Sequence, residues 1–230
     1  MATQIETTPM PAIYFDLDGT LTDPKIGITR SIQYALQKLD LLVPSQDELT
    51  WCIGPPLRDS FVIMLGGDKH ADLAVSLYRE RFGDVGLYEN SLYPGIKDVL
   101  TTLDRAGRRM FVATSKVAVF AVRIIDHFGL TGHFERVFGA ELDGTRVHKT
   151  DLLAHALETS GVKASQAMMI GDRSHDMIGA KNNGIDAIGV LYGYGSQEEL
   201  IAAGASHVCA TPQAVLDHIH RPLRGAPAEV

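Results

Sequence analysis

The sequence predicts an α/β protein in which helices cover both faces of a parallel sheet. Between residues 96 and 209, short apolar runs alternate with segments of helical periodicity, and this alternation is typical of parallel sheets. A first apolar run at 12–15 stands apart from that region, and the stretch between them is mostly helical in pattern. We therefore expect a parallel α/β core with a helical unit inserted after its first strand.

Composition and charge indicate an ordinary globular protein and argue against several classes of partner. The chain has 230 residues, 45% hydrophobic content, a mean hydropathy of +0.03 and a net charge of −7. Proteins that bind nucleic-acid backbones usually carry a basic surface, so we expect no nucleic-acid partner. No apolar stretch approaches the length of a membrane span, and residues 1–11 lack a secretory signal pattern. We expect no membrane association and a cytoplasmic location.

Three helices are predicted within the insertion. Apolar residues recur at helical spacing across 26–42, which is typical of an amphipathic helix. A proline pair opens a second helix at 57–65, and a glycine pair ends it. A third periodic segment covers 71–82. These helices together predict a compact helical unit.

The chain returns to the core at the turn signal Pro94-Gly95. Helices are then predicted at 96–106, 117–128, 151–160, 175–183 and 197–203, and strands at 109–113, 136–138, 167–170, 187–191 and 206–209. We assign residues 1–23 and 93–230 to the α/β core and residues 24–92 to an inserted helical domain, which is the cap domain in the family resemblance given below. The tail at 221–230 reads as a loose end.

Two carboxylates follow directly on the first predicted strand. Asp16 and Asp18 are two residues apart, so in an extended chain their side chains project from the same face. Two anions held this close repel each other unless a cation neutralises them, and carboxylate oxygens suit Mg²⁺. The pair therefore predicts a bound metal or a cationic side chain. The alternative is a simple turn that ends the strand.

Polar residues also follow two other predicted strands. Ligands of open parallel sheets lie outside the carboxyl ends of the strands, and Thr114 and Asp172 occupy such positions. Asp176 lies four residues after Asp172 and can face the same site, or it can serve only to cap a helix. Lys149 opens a predicted helix, where a cation is unfavourable unless it faces an anion. The alternative for Lys149 is a solvated surface position.

These residues, taken in order, resemble the four motifs of phosphatases of the haloacid dehalogenase superfamily. The first motif resembles the run from Asp16 to Thr20, the second Thr114-Ser115, the third Lys149, and the fourth Gly171-Asp172 followed by Asp176. The resemblance covers residues 11–220, and four motifs in order on predicted strand ends are specific. It implies a Rossmann-like core with an inserted cap.

The resemblance also implies a role for each motif residue. Asp16 is expected to be the nucleophile that forms an aspartyl-phosphate, and Asp18 the general acid and then the general base. Thr114 and Lys149 are expected to stabilise the phosphoryl oxygens. The expected Mg²⁺ ligands are Asp16, the main-chain carbonyl of Asp18 and Asp172, with Asp176 in support. Further substrate-binding residues are expected at Gly19, Thr20 and Ser115.

The cap is expected to choose the substrate. The loop before its second helix carries Arg58, and Lys25 lies beside the first connection to the core, so either cation could bind a second anionic group. The pattern resembles both phosphoglycolate phosphatase-like and 5′-nucleotidase-like branches. The expected substrate is thus a small phosphorylated metabolite, either phosphoglycolate or a nucleoside 5′-monophosphate.

Two other functions and two assembly states stay open at this point. A phosphomutase of the β-phosphoglucomutase type shares the motifs and a similar cap. A catalytically silent sensor of phosphorylated metabolites would use the same pocket for binding alone. The expected assembly is a monomer or a homodimer.

Overall fold

The computed structural model describes residues 11–220 and contains the predicted parallel sheet. The expectations for residues 1–10 and for the tail at 221–230 lie outside the described residues. The strands are β1 (Ala12–Phe15), β2 (Thr22–Asp23), β3 (Ser91–Leu92), β4 (Met110–Val117), β5 (Arg136–Ala140), β6 (Ala167–Gly171), β7 (Asp186–Val190) and β8 (His207–Cys209). Six of them form one parallel sheet in the order β5-β4-β1-β6-β7-β8. The predicted fold class is therefore confirmed.

Helices connect these strands in the order that the sequence predicts. They are α1 (Lys25–Lys38), α2 (Leu57–Leu65), α3 (Ala71–Asp84), α4 (Ile96–Arg105), α5 (Ala118–His127), α6 (Lys149–Ser160), α7 (Ser174–Asn182), α8 (Gln197–Ala203) and α9 (Pro212–His220). The helix α1 ends before the predicted boundary at Leu42, because Asp40 adopts a φ of 55° that no helix continues through. The helix α9 was not predicted. No helix among residues 11–220 is long and apolar enough to cross a membrane.

The two faces of the sheet form two separate cores. On β1, Ile13 and Phe15 pack with residues of α4 and α5, whereas Tyr14 packs on the opposite face with residues of α6 and α7. Successive residues of a strand point to opposite faces. Because both faces are covered, β1 is buried throughout, as is usual for a parallel sheet.

A short antiparallel pair of strands frames the inserted helices. Strands β2 and β3 pair through Thr22 with Leu92 and Asp23 with Ser91, and α1, α2 and α3 lie between them in the chain. Within the insertion α3 packs against both α1 and α2. We refer to these helices and their connections as the cap. The division into residues 24–92 and two flanking core segments stays a prediction.

The position of β1 at the centre of the sheet determines where the functional residues meet. It lies between β4 and β6, with Phe15 opposite both Val112 and Ile170. The residues that follow these three strands therefore converge at one edge of the sheet. That edge is where open parallel sheets bind their ligands.

Candidate active site

Three buried carboxylates form a cluster at this edge. Asp16 follows β1, Asp172 follows β6, and Asp176 lies in the first turn of α7. Each contributes an oxygen, and these oxygens all lie within 4.8 Å of one another. Burial raises the pKa of Asp172 well above its usual value, and the neighbouring Asp176 and Asp16 raise it further. These carboxyl groups can therefore all be ionised together only if a cation compensates their charge.

Lys149 supplies one positive charge to this cluster. Its Nζ lies 2.9 Å from Asp16 Oδ1 and 2.6 Å from Asp176 Oδ1, and it donates a hydrogen bond of 2.7 Å to the carbonyl of Ala113. Burial alone would lower the pKa of Lys149, but the two carboxylates outweigh it and raise the pKa. The lysine is 4% exposed. It is thus a buried ammonium group rather than a surface lysine.

Asp176 has both of the roles that its position allows. Its Oδ2 accepts a hydrogen bond of 3.1 Å from the backbone N–H of Arg173, so it caps α7. Its other oxygen faces Lys149. Burial raises the pKa of Asp176, and Lys149 opposes that rise. The sequence had placed Asp176 in a supporting role, whereas the structure places its oxygen inside the carboxylate cluster.

The turn after β1 makes room for Asp172. Gly19 has a φ of +82°, and a Cβ at this position would lie 2.1 Å from Asp172 Oδ2. Thr20 donates a hydrogen bond of 3.4 Å to Asp172 Oδ1, and the backbone N–H of Tyr194 donates one of 2.8 Å to Oδ2. Gly19 and Thr20, predicted to bind substrate, thus contact a predicted metal ligand and do not line the cavity described below.

Asp18 lies apart from the carboxylate cluster and has its own cation. Its Oδ2 is 2.7 Å from the Nζ of Lys116. Burial raises the pKa of Asp18, and Lys116 counters that rise. Its Oδ1 is buried and has no hydrogen-bond partner among residues 11–220. One carboxylate oxygen is therefore held by Lys116, and the other has no partner of its own among these residues.

Hydroxyl groups at the end of β4 lie beside the two aspartates. Thr114 Oγ1 accepts a hydrogen bond of 3.2 Å from the backbone N–H of Lys116, which leaves its own proton free to donate. The Oγ of Ser115 is buried and has no partner within the described part of the chain. Both residues line the cavity with Asp16 and Asp18. They can donate hydrogen bonds to an anionic ligand at this place.

A cavity of about 500 Å³ opens above these residues, between the core and the cap. Its floor includes Asp16, Asp18 and Thr114, and its walls carry apolar and aromatic side chains from both units. The apolar and aromatic lining includes Val75, Tyr78, Phe82, Val117 and Phe120. Cavities of this size and character accommodate ligands of the size of a nucleotide.

The two cap cations predicted to bind substrate already have partners. Lys25 forms an ion pair of 2.5 Å with Asp47 and does not line the cavity. Arg58 lines the cavity but forms an ion pair of 2.7 Å with Asp72. Both pairs are largely exposed, so they contribute little to stability. The structure does not bring Lys25 to the predicted site.

Two cations near the site were not predicted to act there. Lys116 follows the second motif directly in the sequence, so its position alone indicates that it lies at the site. Arg173 follows Asp172, and its Nη1 donates a hydrogen bond of 2.5 Å to the carbonyl of Ile53 in the cap. It also forms an ion pair of 3.0 Å with Glu199. No local pattern in the sequence indicates that contact with the cap.

The residues of the carboxylate cluster fit a divalent cation. Three carboxylates with one ammonium group leave two negative charges uncompensated if all are ionised. All the side-chain donors are oxygen atoms, which Mg²⁺ prefers. The pair of Asp18 and Lys116 is neutral by itself and adds no charge to this balance. The cluster is therefore a candidate Mg²⁺ site formed by Asp16, Asp172 and Asp176.

Comparisons with known proteins agree with this geometry. A family model described as haloacid dehalogenase-like hydrolase matches residues 13–190. A 5′-nucleotidase of Pseudomonas aeruginosa is 50% identical over 201 residues, which cover 87% of this chain and 91% of the relative. A tyrosine-protein kinase PtkA of Mycobacterium tuberculosis is 40% identical over 211 residues, covering 92% of this chain and 72% of the relative.

A solved structure extends the comparison to the fold. The crystal structure of a predicted phosphatase from Clostridium acetobutylicum has a TM-score of 0.89 and 40% identity, and the match covers 92% of this chain and 99% of that one. The match includes both the α/β core and the inserted helices, because it extends over nearly all of the chain. The chain therefore belongs to the haloacid dehalogenase-like hydrolases and is a phosphatase of that family.

Proposed function

We propose that this protein is a Mg²⁺-dependent phosphomonoesterase that hydrolyses nucleoside 5′-monophosphates through an aspartyl-phosphate. The observation that carries the proposal is the arrangement of Asp16 and Asp18 on the floor of one cavity, each paired with its own buried lysine. Phosphoryl transfer requires mainly positioning and charge stabilisation. This arrangement supplies a nucleophile, an acid–base group and fixed positive charge.

In the first step Asp16 attacks the phosphorus atom. The bond between Asp16 and phosphorus forms, the bond to the 5′ oxygen of the nucleoside breaks, and Asp18 donates a proton to that oxygen. Thr114 and Ser115 donate hydrogen bonds to the phosphoryl oxygens, and Lys149 offsets negative charge beside Asp16. Asp16, Asp172 and Asp176 would hold the Mg²⁺ ion, which would supply further charge neutralisation when bound.

In the second step water attacks the phosphorus atom and Asp18 accepts its proton. The bond between phosphorus and Asp16 breaks, which releases inorganic phosphate and restores both carboxyl groups to their starting states. Asp18 lines the cavity together with Asp16, which supports its part in both proton transfers.

The cavity favours a nucleotide over phosphoglycolate as the substrate. Phosphoglycolate is small and carries a second anion, which needs an available cation. Of the described lysine and arginine residues that line the cavity, Arg58 is paired with Asp72 and Lys116 with Asp18, and Arg79 donates a hydrogen bond to the carbonyl of Leu142. Acidic side chains also line the upper cavity, and these are Asp59, Asp72, Glu141 and Asp143.

A nucleoside, in contrast, matches this lining. It is uncharged beyond its phosphate, so the acidic residues do not repel it, and its base has an apolar face that can pack on aromatic rings. The relative from Pseudomonas aeruginosa named as a 5′-nucleotidase supports the same substrate class. The volume of about 500 Å³ is larger than phosphoglycolate requires.

The test is phosphate release from a panel of substrates with Mg²⁺ and with EDTA. The panel contains p-nitrophenyl phosphate, nucleoside 5′-monophosphates, phosphoglycolate and hexose phosphates, and the control is the Asp16→Asn variant. We expect Mg²⁺-dependent release with kcat/KM at least about tenfold higher for a nucleotide than for phosphoglycolate. A preference for phosphoglycolate would overturn the substrate class, and full activity of Asp16→Asn would overturn the mechanism. Isomerised hexose phosphate without phosphate release would indicate a mutase.

A further inference from the structure

Lys116 connects the acid–base residue of the core to an aromatic ring of the cap. Its Nζ lies 2.7 Å from Asp18 Oδ2 and 4.3 Å from the centre of the Phe82 ring. Phe82 belongs to α3, whereas Lys116 lies in β4 and Asp18 follows β1 in the core. The side chain of Lys116 is only 7% exposed. The ammonium group is therefore held between the two units.

Each contact restricts the ammonium group in a different way. The ion pair with Asp18 is a charge-assisted contact in a buried place, where such contacts are strong. The Phe82 ring attracts the cation through its face, and that ring is itself fixed because it stacks on Tyr78 with ring centres 5.1 Å apart. It also meets Phe120 edge to face at 5.5 Å.

The two oxygens of Asp18 are not equivalent. Oδ2 contacts Lys116, and Oδ1 is buried with no hydrogen-bond partner among residues 11–220. A carboxyl group held through one oxygen cannot rotate freely about its last torsion. The contact with Lys116 thus fixes the orientation of the Asp18 carboxyl group.

We propose that Lys116 is a positioning residue that fixes the orientation of the Asp18 carboxyl group at the cavity, and that Phe82 of the cap keeps Lys116 in this place. This inference rests on the proposed function, because it assigns a role within the same reaction. Asp18 is then correctly oriented for proton transfer while α3 packs on the core. The cap thereby contributes to the acid–base step through Phe82, in addition to lining the cavity.

The alternative role for Lys116 is direct binding of the phosphoryl group. The two roles differ in how they depend on the leaving group. p-Nitrophenolate leaves without a proton, whereas the 5′ oxygen of a nucleoside needs one from Asp18. Loss of a positioning residue for Asp18 therefore lowers kcat/KM selectively for the nucleotide, because kcat/KM reports the first step and the later attack of water is common to both substrates. Loss of a phosphoryl ligand affects both substrates alike.

The experiment measures kcat/KM for a nucleoside 5′-monophosphate and for p-nitrophenyl phosphate in matched variants. Lys116→Met keeps the length of the side chain and removes its charge. We expect a loss of about 10- to 100-fold on the nucleotide and less than about threefold on p-nitrophenyl phosphate. Lys116→Arg should recover most of the loss, because a guanidinium group can still pair with Asp18. Equal losses on both substrates would overturn the inference.

The role of Phe82 has its own variant and control. Phe82→Leu removes the ring face and should lower nucleotide hydrolysis by about three- to tenfold with little change for p-nitrophenyl phosphate. This loss should shrink to less than about twofold in the Asp18→Asn background, whereas a loss of packing against the base would persist there. Phe61→Leu is the control, since Phe61 is a fully buried cap residue that does not line the cavity. It should leave the ratio between the two substrates unchanged. An unchanged ratio in Phe82→Leu would contradict the part assigned to the cap.

A double substitution separates this inference from the proposed function. If Lys116 acts through Asp18, Lys116→Met should add less than about twofold to the loss already caused by Asp18→Asn on the nucleotide. Independent, multiplicative losses would contradict the inference. If the wild-type protein hydrolyses neither substrate, the proposed function fails and the inference fails with it. If Lys116→Met does not fold, Phe82→Leu and Lys116→Arg still measure the same ratio.

Discussion

Removal of the Lys149 charge is expected to destabilise the protein as well as to inactivate it. Lys149→Met preserves most of the side-chain volume but deletes the ammonium group. That group forms ion pairs of 2.9 Å with Asp16 and 2.6 Å with Asp176, and a hydrogen bond of 2.7 Å with the carbonyl of Ala113. Both carboxylates are almost fully buried. They would be left without their shared counter-charge.

The magnitude follows from the burial of these groups. Removal of one partner from a buried ion pair costs about 3–5 kcal/mol, because the remaining charge is left uncompensated. We expect this loss in the free energy of unfolding of Lys149→Met in EDTA at pH 8. A divalent cation bound to the native state at a concentration of 100 times its Kd would restore about 2.7 kcal/mol.

The loss should also depend on pH. Burial raises the pKa of Asp176 in the native protein, and Lys149 opposes the rise. A carboxyl group whose pKa is raised on folding binds its proton more tightly in the native state, so its contribution to stability falls as pH rises through that pKa. Without Lys149 the pKa of Asp176 rises further. The difference between variant and wild type should therefore shrink as pH falls from 8 to 5.5.

The assay is urea unfolding followed by circular dichroism, with and without Mg²⁺. The matched control is Lys97→Met, because Lys97 is an exposed residue of α4, and such substitutions change stability by less than about 0.5 kcal/mol. A loss below about 1 kcal/mol for Lys149→Met in EDTA at pH 8 would refute the reasoning. It would mean that the carboxylates do not depend on this cation for their charge balance.

Two further changes test the turn after β1 and an ion-pair cluster in the cap. Gly19→Ala places a Cβ 2.1 Å from Asp172 Oδ2, so it should lower the Tm and weaken Mg²⁺ binding. The control is Gly107→Ala, where φ is also positive but no atom lies within 4 Å of the added Cβ, and it should lower the Tm alone. Equal Mg²⁺ affinity in both variants would contradict this expectation. Glu89→Gln should lower the free energy of unfolding by about 1–2 kcal/mol at pH 7, because a hydrogen bond from Arg81 stabilises the ionised form of Glu89 and lowers its pKa. The stabilisation by ionised Glu89 is complete above the ordinary pKa of a glutamate and is lost as pH falls through the lowered pKa of Glu89 in the native protein. The difference in the free energy of unfolding between the variant and the wild type should therefore be smaller in urea unfolding at pH 4 than at pH 7. An equal difference at both pH values would contradict the assignment.

The parts of the site that the sequence predicts are those encoded locally. Asp16, Thr114 and Asp172 each follow a short apolar run directly, so the run predicts the strand and the strand predicts the position of the polar residue. The carboxylate cluster needs only this rule and the spacing between Asp172 and Asp176. The roles assigned to these residues stay predictions.

Contacts between the cap and the core could not be predicted in this way. Phe82 of α3 meets Lys116, and Arg173 meets Ile53 in the connection before α2, because of how the cap packs on the core. Neither contact leaves a local pattern in the sequence. Lys25 shows the converse, because its place beside the cap connection suggested substrate binding, whereas it pairs with Asp47 at the surface.

The periodicity of apolar residues in the sequence could not predict some elements of the fold. Strands β2 and β3 contain two residues each, which is too short for any alternation to be visible. The helix α9 packs against α4 and the edge strand β8, so its formation depends on tertiary contacts. Tertiary packing of an apolar face commonly outweighs local propensity in helices of this length.

The central claim is that Asp16 carries the phosphoryl group during turnover, and trapping it there tests the claim most directly. The protein would be mixed with ³²P-labelled p-nitrophenyl phosphate and Mg²⁺, quenched in acid within one turnover, and mapped by peptide analysis. We predict label on the peptide that contains Asp16, more label in Asp18→Asn because water attack is slowed, and none in Asp16→Asn. Normal turnover with no label on that peptide in either the wild type or Asp18→Asn would contradict the account.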